Sequence, residues 1–269
     1  MDSIVQYVLD RSKLEVSHIK ITNAKANSFT MSITSRATDT RPLPSTTSPM
    51  TVELHGPKGR FANLDLPEIH TSSRGADVHI ADQRIDILDM EAYLAFVRSI
   101  MLDERLTLRL ENGKVTVKAL GMKSNIVYAK EVQLMGMKGP QIALVRTVVD
   151  GDGGGGDGDG DGVDGGEGAF TNTTVVRNPS PLEIGLGVVS FDILNAEGEK
   201  IASEEGEMYL LRGESTHTRS GRVVKGVGAK VGPGKMVGTG AKGGTWVDET
   251  IRFLSQAIEI NGKLAAACS

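Results

Sequence analysis

Two runs decide the fold, Lys114–Leu120 (KVTVKAL) and Ile126–Leu134 (IVYAKEVQL). In each, apolar and polar residues alternate with a period of two and β-branched residues are frequent, the pattern of a strand with one face buried. Similar runs precede them at Val16–Thr22, Phe29–Ser35, Met50–His55, Arg84–Leu88 and Leu106–Glu111. Pro42, Pro44, Pro49, Pro57 and Pro67 fall between runs, where no ladder hydrogen bond is needed. One segment breaks the period. Asp89 is a good N-cap, and Tyr93, Leu94, Phe96, Val97, Ile100 and Met101 follow at helical spacing. The broad apolar face of this helix fits a lid across the open end of a sandwich. A sharper reading makes it the wall of an acyl-chain cavity, with Met90, Phe96 and Met101 as adaptable contacts.

The pattern returns further along. Phe170–Arg177 and Leu186–Asn195 read as strands around the turn NPSP (Asn178–Pro181), and Asn195–Lys200 reads as a hairpin turn. Met208–Leu211 and Thr216–Val224 continue the sheet, and Trp246–Ala257 has helical spacing through Val247, Ile251 and Leu254. Many short strands with one helix in each half predict an all-β protein of two immunoglobulin-like β-sandwich domains.

Between the halves lies Asp150–Gly168, 19 residues with 11 Gly, 6 Asp and 1 Glu. Such a tract buries no apolar area against its ordering entropy, so it predicts a disordered acidic linker. The expected organisation is a lead-in helix over 1–14, a first sandwich over 15–149, and the linker over 150–168. A smaller sandwich follows over 169–262, with a flexible basic loop at 221–244, and then a tail at 263–269.

Composition narrows the function. The chain has 269 residues and a formal net charge of −4; without the seven acids of the tract, 27 acidic residues face 30 basic ones. That balance argues against a general nucleic-acid binder. No run of residues is long and apolar enough for a membrane span, and Met1–Asp10 lacks the regions of a secretory signal, which predicts a soluble chain. A single cysteine, Cys268, excludes an intrachain disulfide framework and a cysteine-built zinc site.

The motifs are weak. Asp157, Asp159, Asp161 and Gly162 open like an EF-hand loop. Gly168 stands where the bidentate Glu belongs, Glu167 is one residue early, and Asp164 replaces the hydrophobic pin. Gly238, Gly240 and Gly243 fit G-x-G-x-x-G without a βαβ unit around them, and Met236 stands where a P-loop at Gly234-Lys235 needs Ser or Thr. Lys225, Lys230, Lys235 and Lys242 form a basic loop able to meet anionic lipid headgroups. His18, His55, His70, His79 and His217 show no ligand spacing, Glu68 and Glu91 are isolated acids, and no G-x-S-x-G elbow is present. Asn172-Thr173-Thr174 is a glycosylation sequon. The expectation is a protein that is not an enzyme, with no catalytic, cofactor or metal residues to name.

Five strings add a resemblance: SFTMSITSRATDT (Ser28–Thr40), LDLPEIHT (Leu64–Thr71), ILDMEAYLAFVRSIMLDE (Ile87–Glu104), KVTVKALGMKSNIVYAKEVQLMGM (Lys114–Met137) and NPSPLEIGLGVVSFDI (Asn178–Ile193). Together they resemble the fungal DUF3712 family of β-rich proteins, which is similar to the type-2 late-embryogenesis-abundant (LEA2-like) sandwich. The resemblance implies tandem seven-stranded LEA2-like sandwiches. It also implies kinship with a yeast vacuolar-membrane protein implicated in terminating autophagy. The implied role is a non-enzymatic accessory or scaffold module of the fungal vacuole membrane, with vacuolar-membrane proteins or lipids as partners. The alternative is a lipid-binding or lipid-transfer protein with an apolar groove. Family members carry a transmembrane anchor upstream of the first sandwich. Here Met1 begins almost at that sandwich, which implies either a start further upstream or a member without the anchor. The resemblance supplies no catalytic residues.

Overall fold

A computed structural model describes residues 6–7, 11–39, 44–72, 74–119, 121–150 and 168–268. The chain is all-β in character. It divides into two compact units, Met1–Lys138 with Pro179–Ile184, and Gly139–Asn178 with Gly185–Ser269. Of the expected lead-in at 1–14, Gln6, Tyr7 and Arg11 are helical and the rest up to Asp10 lies outside the described residues.

The first unit contains β1 (Lys13–Lys25), β2 (Ser28–Thr38), β3 (Ser45–Thr47), β4 (Met50–Gly56), β5 (Gly59–Leu66), β6 (Ile69–Thr71), β7 (Ala76–Asp86), α1 (Met90–Leu102), β8 (Arg105–Ala119) and β9 (Met122–Met135). β1, β2 and β7 form one antiparallel sheet, and β1 also takes Leu182–Ile184 in parallel, Ile19 opposite Leu182. The other sheet is built on the long β8, with β9 along one edge and β4 and β3 along the other. β5 and β6 pair outside β4 and β3. Alternation explains the sandwich-like core, since Ile19, Ile21, Phe29 and Met31 of one sheet are buried together with Leu54, Leu64, Leu108, Leu110 and Val132 of the other.

α1 joins the two sheets. Asp89 accepts a hydrogen bond from Ala92 N at 2.9 Å, as its N-cap position predicts. Tyr93 stacks on Phe29 of one sheet at 5.2 Å between centroids, and Phe96 on Phe61 of the other at 4.8 Å. Of the predicted apolar face, Leu94 alone is left half-exposed.

The second unit contains β10 (Gln141–Val149), β11 (Ala169–Asn178), the remainder of β12 (Leu182–Leu194), β13 (Lys200–Leu210), β14 (Gly213–Val223), β15 (Gly232–Ala241), α2 (Trp246–Ile251), β16 (Ser255–Ile260) and α3 (Gly262–Cys268). Its strands follow one another as β10-β11-β14-β13-β12-β15-β16 in a continuous sheet, where the sequence pattern predicts a second pair of sheets. Alternation fixes which face of a strand is buried and leaves open which edges join. The sheet curls until its end strands approach, Asn261 Nδ2 beyond β16 donating to Thr147 Oγ1 of β10 at 2.9 Å.

Five expectations are corrected here. The acidic tract does not connect the two units, because the strands on either side of it pair with each other. Val149 lies opposite Phe170, and Asp150 N donates to Ala169 O at 3.0 Å. The tract is thus an insertion between neighbouring strands of the second unit, and residues 139–149 belong to that unit rather than to the first. Loop-closure entropy grows only slowly with length, so a long insertion leaves such a pairing intact. Residues 151–167, with the EF-hand-like positions, lie outside the described residues.

The supposed loop at 221–244 contains a full strand, β15. Gly234, Gly238 and Gly240 of this strand sit where no side chain fits. A Cβ on Gly238 would lie 2.1 Å from Ile251 O, and one on Gly240 2.5 Å from an Asp248 oxygen. The glycine repeat therefore serves close packing of α2 on β15, which accounts for it without a nucleotide. The helix predicted over Trp246–Ala257 stops at Ile251, and Ser255–Ala257 begins β16. The expected tail is helix α3, which buries Leu264, Ala265 and Cys268.

Candidate functional site

The first unit carries an open groove of about 870 Å³ between the start of β1 and strands β8 and β9. It exists because β1 pairs with β2 along its whole length but on its other side pairs with Leu182–Ile184 only from Ile19 onward. Among the described residues no strand pairs with the outer edge of β9. Two strand edges without a neighbouring strand among the described residues thus border one groove, and Gln6 Nε2 donates to Val127 O of β9 at 3.2 Å.

Lys130 spans it. This β9 lysine points inward, is 8% exposed, and donates from Nζ to Ser12 O at 2.6 Å. An inward-pointing charge of this kind discourages unspecific strand pairing at an edge. Leu14, Val16 and Leu110 line both the groove and an apolar cavity of about 50 Å³ inside the sandwich. Arg109, Glu111 and Asn112 form the groove's charged end. There Asn112 Nδ2 donates to Glu53 Oε2 at 2.7 Å, and Arg60 and His55 approach the same carboxylate at 2.9 and 3.0 Å. The hydrogen bonds from His55 and Asn112 hold the Glu53 carboxyl below its ordinary range.

A second constellation lies inside the second unit. Arg219 and Glu204, both fully buried at the side chain, meet at 2.6 Å from Nε to Oε1. Asn172 Nδ2 donates to Glu204 Oε2 at 2.7 Å, and Thr147 Oγ1 donates to Asn172 Oδ1 at 2.6 Å. Arg219 also donates to Thr174 Oγ1 at 2.7 Å and lies over the Phe191 ring at 5.0 Å. Its Nη1 has no hydrogen-bond partner among the described residues. Beside it Ser215 Oγ and His217 Nε2 are 2.9 Å apart. Burial, and then the Arg219 charge, hold the His217 imidazole below its usual pKa. Among the described residues no carboxylate orients this imidazole: its further hydrogen bond goes to the backbone of Glu207. The interior is a network of mutual hydrogen bonds that leaves Arg219 Nη1 without a partner among the described residues.

The residues singled out in the sequence are dispersed. His18 lies 3.2 Å from Glu183, His55 3.0 Å from Glu53, and His70 3.1 Å from Glu68, each contact within one unit. Glu91 meets Lys58 on the surface. Asn172 of the sequon is 0% exposed, so glycosylation of the folded chain is sterically closed. Phe96 lines the apolar cavity, whereas Met90 and Met101 do not. Neither the groove nor the buried network was visible in the sequence. The only local signal was Ser215, His217 and Arg219, three polar residues at alternate positions of β14 on its buried phase.

The profile described as "Protein of unknown function (DUF3712)" matches residues 59–193, from β5 to β12. The chain belongs to the DUF3712 family. Four of the five strings quoted above fall inside the match, and Ser28–Thr40 lies before it. The family match therefore covers part of each unit and includes the acidic insertion. No curated protein matches the chain. Among solved structures, a protein of Arabidopsis thaliana determined in solution is 10% identical with a TM-score of 0.29, over 46% of this chain and 80% of its own. The exo-chitosanase CsxA of Amycolatopsis orientalis is 11% identical with a TM-score of 0.25, over 91% of this chain and 26% of its own. Red sea bream transglutaminase is 9% identical with a TM-score of 0.27, over 92% of this chain and 31% of its own. The chain thus spans less than a third of either enzyme. Among the described residues no helix is long and apolar enough to cross a membrane, and no group of His, Cys, Asp and Glu is arranged to hold a metal ion.

Proposed function

We propose that this DUF3712 chain is a non-enzymatic accessory module of the fungal vacuolar membrane system, built from two LEA2-like domains and connected with the regulation of autophagy. Its work is to hold an extended segment of a partner protein in the groove of the first unit. The observation that carries this reading is the pair of strand edges, on the start of β1 and on β9, that border the groove and have no neighbouring strand among the described residues. Edges of this kind bind an extended chain through main-chain hydrogen bonds, while apolar pockets select alternate side chains. Leu14, Val16 and Leu110 supply such a pocket. Most of the polar groups buried in the second unit bond to one another, which supports a structural part for them.

A second reading, a lipid-binding or lipid-transfer protein, draws on the apolar side chains that the groove shares with the interior cavity. At about 50 Å³ that cavity is far below the roughly 300–1,000 Å³ of pockets that enclose drug-sized ligands. A lipid would therefore lie in the open groove or force the sheets apart.

The deciding measurement is extraction of the purified chain with organic solvent, followed by mass spectrometry. No lipid at one molecule per chain is expected; lipid at that ratio makes the carrier the better account. In parallel, Val127→Asp places a charge on an exposed groove position and is expected to abolish capture of partners from vacuolar-membrane extracts at unchanged Tm. Capture that survives the substitution refutes the groove as the docking site.

A further inference from the structure

We infer that the β14–β15 connection of the second unit, Val224–Val231, is a docking loop for an anionic lipid surface, a contact separate from the groove and independent of the reading given for it. No acidic residue occurs between Glu214 and Asp248, a span that holds Lys225, Lys230 and Lys235. All three lysines are exposed. Lys230 and Lys235 take part in no ion pair with the described residues, whereas Lys242, grouped with them on sequence alone, is engaged by Glu205 at 2.9 Å. Between the charges the loop shows apolar surface. Val231 is 68% exposed, more than any other large hydrophobic residue described. Val224 N anchors the start of the loop on Ile201 O at 2.7 Å, while Gly226 and Gly232, at φ +78° and +134°, have open space where a Cβ would lie.

Alternating lysine and valine on one loop suits a headgroup layer. The ammonium groups meet lipid phosphates and carboxylates, while the valine side chains enter the boundary beneath them. A site for a single soluble anion would need converging donors, and here the lysines are spread along the chain from Lys225 on the loop to Lys235 in β15. Acids also face this end of the unit. Glu259 neighbours Pro233 across the β15–β16 ladder, and Asp150 lies where the acidic insertion leaves the sheet. Gly168, where the insertion returns, accepts a hydrogen bond from Val223 N at 3.0 Å. Binding is therefore measured on the full chain, with those acids present.

The probe is sedimentation with phosphatidylcholine vesicles, with and without phosphatidylserine. Binding is expected to the phosphatidylserine vesicles alone and to disappear in high salt. Each lysine neutralised should lower partitioning roughly fivefold, so Lys230→Gln with Lys235→Gln lowers it about 25-fold, while the corresponding Arg pair retains it. Val231→Asp should also weaken binding. All these positions are exposed, so an unchanged Tm is expected and separates loss of contact from loss of fold. Equal binding to neutral vesicles, no binding to either kind, or full binding by the Gln pair overturns the assignment. Nucleic-acid binding that the Gln pair loses, without vesicle binding by the native chain, overturns it as well.

Discussion

Replacing Arg219 by Met tests the buried network of the second unit. The native guanidinium neutralises Glu204 at 2.6 Å where both side chains have lost all contact with water, and it also holds Thr174. The thioether side chain would fill much of the volume but leave a buried carboxylate facing it, with Asn172 Nδ2 as its remaining donor. Removing one partner of a buried pair costs about 3–5 kcal/mol, because the other charge keeps its desolvation penalty without compensation. With a urea slope of about 2 kcal/mol/M, the unfolding midpoint falls by roughly 1.5–2.5 M. The single tryptophan, Trp246, is buried in this unit, so its fluorescence reports on the unit that carries the substitution. The decisive comparison adds Glu204→Gln, which removes the orphan charge and keeps an oxygen for Asn172. The double variant should be more stable than Arg219→Met by at least ~1.5 kcal/mol, and Glu204→Gln alone completes the cycle. A cost below about 1 kcal/mol for Arg219→Met, or a double variant no more stable than the single one, refutes the argument that an uncompensated charge dominates.

Other perturbations probe other links. His217 has a lowered pKa in the folded chain, so below its unfolded value of 6.5 the unfolded state binds more protons. Its contribution to stability is complete above pH 6.5 and is lost as pH falls from there toward the lower folded pKa. Urea midpoints read from Trp246 should show this decline, and His217→Gln should flatten it. Gly238→Ala should cost about 1–3 kcal/mol in the same assay, since its methyl group meets Ile251 O and must displace α2. Phe96→Ala should destabilise the first unit by about 3–5 kcal/mol in thermal unfolding followed by circular dichroism, as the ring bridges to Phe61 beside an existing cavity. Asp89→Ala should cost about 1 kcal/mol there through loss of its bond to Ala92 N, while Asp89→Asn retains most of it.

Much of the local architecture was legible. The alternation from Lys114 to Ala119 and over Ile126–Leu134 lies in β8 and β9, which pair along their length with Val115 opposite Ile126. The cap at Asp89 and the spacing from Tyr93 to Met101 define α1 almost residue for residue. These signals are local, because burial of one face sets a period and a cap satisfies the first turn within three residues. The groove was not legible. It comes from where β1 lacks a neighbour, and that depends on Leu182–Ile184, far along the chain, reaching only as far as Ile19. The polar interior escaped for a related reason. Ser215, His217 and Arg219 resemble a solvated strand face until Glu204 and Thr174 arrive from other strands to receive the Arg219 guanidinium.

The glycine-rich stretches show the same division. Sequence alone established that Asp150–Gly168 carries almost no apolar residue and that Gly221–Gly244 is basic, because composition fixes what a segment is able to bury. Only the tertiary structure decided that the first is an insertion between paired strands and that the second contains β15. The missing side chain of Gly238 leaves the space that Ile251 O occupies, and a vacancy acquires meaning only from the atom that approaches it. Hydrophobic period, capping and charge are properties of neighbouring residues. Strand partners, edges left open and a carboxylate matched to a buried guanidinium are properties of distant ones, settled when the whole sheet closes.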